Sequence, residues 1–83
     1  MFNTDIDEFI INNLDHFKEK IHNLKNTRDR VLLTDPLFSD LIKEQYSDRV
    51  RGEVCLEICQ KLGCSFEQAM IRLEEIKVEN LLE

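Results

Sequence analysis

Residues 58–73 read ICQKLGCSFEQAMIRL, and the punctuation inside this stretch decides the fold. Apolar residues recur at helical spacing up to Leu62 and then stop. Gly63 follows, the residue type that most readily takes the left-handed conformation closing a helix C-terminus. Ser65 is an N-cap residue, and Gln68 stands three positions on, as a capping box requires. The spacing therefore predicts two helices joined by a three-residue turn, with the second helix beginning at Phe66.

That turn resembles the bihelical unit of helix-turn-helix domains, where an LG-small-S sequence separates a supporting helix from a recognition helix. The resemblance places Cys59 at the small-residue position of the first helix and Cys64 at the buried turn position. It turns Ala69 and Leu73 inward. It covers about a fifth of the chain, and such units also occur in proteins that bind no DNA. If the likeness extends to activity, it implies that the second helix reads base edges, with Gln68 as the reader.

Upstream, Val54, Cys55, Ile58, Cys59 and Leu62 line one side of a helix that ends at Leu62. Ser47 or Asp48 reads as its start. Glu57 and Lys61 form a favourable i,i+4 pair on it. Before it, Thr34-Asp35-Pro36 marks a stop and a restart. The residue preceding a proline is pushed out of helical geometry, Asp35 is a capping type, and Pro36 suits the first helical position. A short helix is expected from Pro36 to Tyr46, with Leu37, Phe38, Leu41 and Ile42 on one face.

Residues 1–33 read as one long amphipathic helix, with Thr4 and Asp7 at its start. Ile10, Leu14, Phe17, Ile21 and Leu24 follow one another at 4-3-4-3 spacing, a seam of period 3.5, and Val31 extends it. This seam suits either the long strut of a small bundle or a contact with a second copy of the chain. No segment alternates at period 2, so no sheet is expected. The fold class expected is all-α: a single domain over residues 1–83, with a long N-terminal helix over residues 1–33 and three shorter helices over residues 34–83. Residues 78–83 either continue the last helix, form an extra turn or fray.

The 83 residues carry a net charge of −6, and its distribution is uneven. Asp5, Asp7, Glu8 and Asp15 stand without a basic residue in the first fifteen positions. Lys18, Lys20, Lys25, Arg28 and Arg30 then face only Glu19 and Asp29. Acid first and base last matches the macrodipole of one long helix. The same five cations, with Gln68, are the candidate nucleic-acid contacts. From residue 48 to the end, five basic residues meet eight acidic ones, which opposes phosphate binding.

No P-loop, G-x-S-x-G or H-E-x-x-H pattern occurs, so no catalytic residue and no cofactor is expected. The three cysteines lie in a C-x3-C-x4-C pattern that suits packing better than zinc. Their odd number favours reduced thiols in a cytoplasmic protein. No basic-then-apolar leader is read in residues 1–14, and no apolar run reaches the roughly 18 residues of a membrane span.

The function expected is therefore non-enzymatic: a small regulator or adaptor that binds another protein. Phe66, Glu67, Met70, Ile71 and Glu74 are the expected partner-binding surface, and Ile10, Leu14, Phe17, Ile21 and Leu24 the expected dimer seam. A helix-turn-helix transcriptional regulator is the alternative. A second alternative is an acidic inhibitor that occupies the nucleic-acid site of its target.

Overall fold

The computed structural model describes the backbone of residues 2–83 and the side chains of residues 5–83. The described residues are helical throughout, with no strand. Six α-helices follow in order: α1 (Phe2–Asn12), α2 (Leu14–Lys20), α3 (His22–Thr34), α4 (Ser39–Leu62), α5 (Phe66–Ile76) and α6 (Val78–Leu81). A 3₁₀ turn, Pro36–Phe38, joins α3 to α4. The molecule is a rod of 43 × 22 × 17 Å.

Its axis is α4, a single helix of 24 residues. Tyr46, Val50, Val54 and Ile58 recur every fourth residue along it and are all buried, with Cys55 beside them. This unbroken stripe passes straight through residues 46–48, where a helix start is expected, so that expectation is corrected. Ser47 and Asp48 are polar residues on the helix flank. Asp48 accepts a 2.5 Å bond from Arg51 one turn on and caps nothing. Gly52 is accommodated within the helix, and a Cβ there would meet nothing within 4 Å.

The long N-terminal helix is also corrected, because residues 2–34 are three helices. Asn13 leaves helical geometry (φ −126°, ψ 26°), and its Nδ2 donates to the Phe9 carbonyl at 2.7 Å. An asparagine side chain offers the backbone a partner outside the helical ladder, and here it takes the place of one rung. Ile21 distorts the chain more gently (φ −92°, ψ 0°). The bonds from Ile21 N to Phe17 O and from Lys25 N to Ile21 O, both 3.0 Å, carry the ladder through it. Thr4 lies inside α1, which begins at Phe2, so the start of that helix is three residues earlier than its cap chemistry suggests.

The bends wrap the N-terminal third around α4. Ile6, Ile10, Phe17 and Ile21 are at most 1% exposed and share one core with the α4 stripe, Ala69, Leu73, Val78 and Leu82. Phe9 meets Phe17 edge to face at 5.8 Å. Among the expected seam residues, Ile10, Phe17 and Ile21 are thus buried inside one chain, and Leu14 and Leu24 are half-buried against the same core. The folded chain does not present that seam on its surface.

Two breaks fall where the sequence places them. At residues 34–36 the Asp35 amide closes α3 on Val31 O at 2.8 Å, and Pro36 opens the 3₁₀ turn, although the Asp35 side chain caps nothing. At residues 63–65 Gly63 is left-handed (φ 71°), and its amide bonds Cys59 O at 2.9 Å. After α5 a second left-handed residue, Lys77 (φ 51°), turns the chain back, so that Val78 and Leu82 reach the core.

Phe17 fills the centre of this core at 0% exposure. Replacing it with Ala should lower the unfolding free energy by about 3–5 kcal/mol. That is a large part of the roughly 4–12 kcal/mol expected for a domain this size. Urea unfolding followed by circular dichroism reads the loss, and a change under about 1 kcal/mol would contradict the central position of the ring.

Candidate protein-binding surfaces

The α4–α5 corner is built from local chemistry. Ser65 is extended (φ −73°, ψ 147°), and its hydroxyl accepts the Gln68 amide at 3.1 Å. Among the described residues the return bond from the Gln68 side chain is absent, so half of the capping box forms. Ala69 and Leu73 turn inward at 0% exposure, and Cys59 and Cys64 are half-buried against the core. The Cys55 thiol donates to the Phe66 carbonyl at 3.4 Å, tying α4 to the first turn of α5.

The opposite side of α5 is held from α1. Arg72 clasps Asp7 with Nε to Oδ1 at 2.9 Å and Nη2 to Oδ2 at 2.5 Å. A two-bond guanidinium–carboxylate contact fixes orientation as well as distance. The hydrogen bond from Arg72 holds the Asp7 carboxyl below its ordinary value.

What remains outward on α5 is the expected partner surface. Phe66 is 50% and Ile71 53% exposed, Glu67 and Glu74 are exposed, and Met70 is half-buried at the edge of the core. Helical spacing places Phe66, Met70 and Glu74 in one row and Glu67 and Ile71 in the next. Gln68 is exposed at the first turn of the same helix.

The expected nucleic-acid cations are dispersed. Lys20 bonds Glu57 at 3.0 Å, and His16 bonds the other oxygen of that carboxylate at 2.7 Å. Burial pushes the Glu57 carboxyl up, but the His16 and Lys20 bonds outweigh it, and the net displacement is downward. Arg28 lies 4.3 Å over the Tyr46 ring and pairs with Asp29 and Glu83. Lys18 and Arg30 are exposed and Lys25 half-buried, and among the described residues none of them has an ion-pair partner.

A second apolar surface lies outside the expected set. Leu33, Leu37, Phe38 and Leu41 cluster around the α3–α4 turn and are 85%, 92%, 59% and 52% exposed. Leu37, Phe38 and Leu41 are expected on one helix face, but the 3₁₀ turn interrupts that face before α4 begins. The nearest sequence signal is the density of large apolar residues around Pro36.

Cys55 and Cys59 bring their sulfurs to 4.0 Å, and burial, then the adjacent Cys59, pushes the Cys55 thiol up to about 12. A thiol at that value stays protonated and is a poor nucleophile. Among the described residues no group of three His, Cys, Asp or Glu side chains could hold a metal ion, and no helix is long and apolar enough to cross a membrane. No family model, curated protein or solved structure matches the chain.

The Asp7–Arg72 clasp makes the placement of α5 sensitive to acid. A carboxyl held below its ordinary value stabilises the folded state above that value, and the contribution fades as pH falls through the lower, folded value. Asp7→Asn should therefore destabilise the chain at neutral pH. The gap between variant and native chain should close as pH falls below the ordinary aspartate value of about 4. Urea midpoints measured as a function of pH test this, and a gap independent of pH would refute it.

Proposed function

We propose that this chain is a non-enzymatic adaptor or regulator that binds another protein through the outward arc of α5. One observation carries the reading. Phe66 and Ile71 stand half-exposed on either side of Glu67 and Glu74, on a helix tied to α4 at its first turn and to α1 through Arg72. Rigid placement matters, because an interface anchor that is already ordered loses little freedom on binding. Large apolar anchors inside a polar rim carry most of the energy in such contacts. The acidic strip between the two anchors suits a partner surface with two apolar pockets and a basic group between them.

The corner between α4 and α5 favours a second reading. Its left-handed Gly63, its Ser65 cap and its inward Ala69 and Leu73 support the likeness to a helix-turn-helix unit. A DNA-reading protein would use Gln68 on base edges and Lys18, Lys25 and Arg30 on phosphates. The charge pattern weighs against it: Glu67 and Glu74 would meet phosphates, while Lys20 and Arg28 are engaged within the chain.

The two readings separate in one pair of measurements. Protein binding predicts that Ile71→Lys and Phe66→Lys each weaken partner capture by tenfold or more while the helical circular dichroism is unchanged. DNA reading predicts binding that falls steeply between about 50 and 200 mM salt. In that case Arg30→Ala weakens all sequences alike and Gln68→Ala relaxes sequence choice. Salt-sensitive, sequence-selective DNA binding that is untouched by Ile71→Lys would overturn the adaptor reading.

A further inference from the structure

The rod has a body and an arm. The body holds all of the buried residues: among the described side chains, none between His22 and Gln45 is buried. That span is α3, the 3₁₀ turn and the first turns of α4, two antiparallel helices with no third element over their distal half. A pair of helices buries only a narrow seam, and the remaining apolar faces need another layer. Here they do not receive one from the chain itself. Leu33, Leu37, Phe38 and Leu41 stand in solvent at the tip. Together they expose on the order of 500 Å² of apolar surface, near the top of the range for the largest patch on a monomer.

The charges around this tip are of both signs and lie outside the ion pairs that link the elements. Four ion pairs tie separate elements of the chain together: Asp7 with Arg72, Glu57 with Lys20, Glu79 with Arg51, Glu83 with Arg28. At the tip Arg30, Lys43, Asp35, Asp40 and Glu44 are all exposed, and among the described residues none has an ion-pair partner. Two cations and three carboxylates surround the leucines. The chain as a whole is at −6 and repels its own copies, but this patch is close to neutral and carries both signs.

We propose that the α3–α4 tip is a self-association surface, occupied by the tip of a second copy in a two-fold, hairpin-to-hairpin contact. A two-fold axis requires one surface to complement itself. A mixed rim does so when each Arg30 and Lys43 faces a carboxylate of the other copy. The leucines and Phe38 then form the shared centre, and four helix ends make the layer that the arm lacks. A standard interface covers about 800 Å² per partner. The tip leucines and Phe38 supply more than half of that, and Val31 and Ile42, which line an open groove of about 180 Å³ running toward Tyr46, extend the flank of the arm behind them. This surface is separate from the α5 arc and stands or falls without it.

Sedimentation equilibrium of the full chain, taken up to about 100 μM, tests the contact, since interfaces of this size reach micromolar dissociation constants. The expected result is a monomer–dimer equilibrium that Leu37→Glu weakens by tenfold or more. Leu37 is 92% exposed, so the variant keeps its fold, which circular dichroism checks. Ile11→Lys, a change at another exposed apolar residue on the body, should leave the equilibrium unmoved. Charge gives a second arm. The doubly changed Arg30→Glu/Lys43→Glu tip is wholly acidic, and the triply changed Asp35→Lys/Asp40→Lys/Glu44→Lys tip is wholly basic. Each variant should be monomeric alone, and a mixture of the two should dimerise. A chain that stays monomeric throughout, a dimer indifferent to Leu37→Glu, or charge variants that fail to pair when mixed would overturn the proposal.

Discussion

The fold is organised around the row formed by Tyr46, Val50, Val54 and Ile58. Four buried side chains at four-residue spacing make a straight ridge along α4, and α1, α3, α5 and α6 all pack against that helix. A domain of 83 residues buries little surface per residue, so it cannot support several independent cores. One long ridge solves this by serving every neighbour at once. The cost is geometric: no straight N-terminal helix could follow α4 and also reach α5. The bends at Asn13 and Ile21 answer that demand, and they bring Ile6 and Ile10 to one end of the ridge while α3 runs along the other.

The legible parts of this fold are those written in local chemistry. Gly63 and Ser65 act within one turn of themselves, and the backbone there follows the residue types. The corner at residues 34–36 is readable for the same reason, since proline restricts its neighbour whatever surrounds it. The bend at Asn13 also has a local cause, but asparagine occurs inside many helices, and only the packing of Phe17 selects the bent form. Ser47 and Asp48 mislead in the other direction. They are capping types, yet the i+4 row passes beneath them, and continuous burial outweighs a propensity worth tenths of a kcal/mol.

The same contrast governs the surfaces. Phe66 and Ile71 are outward because the inward positions of α5 are already taken by Ala69 and Leu73, which a helical wheel reveals. The residues from Ile10 to Leu24 have a period of 3.5, which a contact between chains and a contact within one chain share equally. Periodicity states that a face is covered and leaves the covering unspecified. At the tip the reading fails for a further reason. Leu37, Phe38 and Leu41 have the composition of a core, and only the length of α4 shows that they lie beyond the reach of every other helix.

The absence of buried side chains from His22 to Gln45 also sets how the chain opens. Amide protons exchange with solvent through the least costly opening that frees them, and that cost follows the apolar contacts each segment must give up. The arm gives up few, so its helices open without disturbing the ridge, while amides near Val54 and Ile58 wait for global unfolding. The molecule thus has two layers of protection along one continuous helix, and a protease meets α4 as a frayed outer half and a closed inner half. Anything that covers the tip converts the first kind of opening into the second.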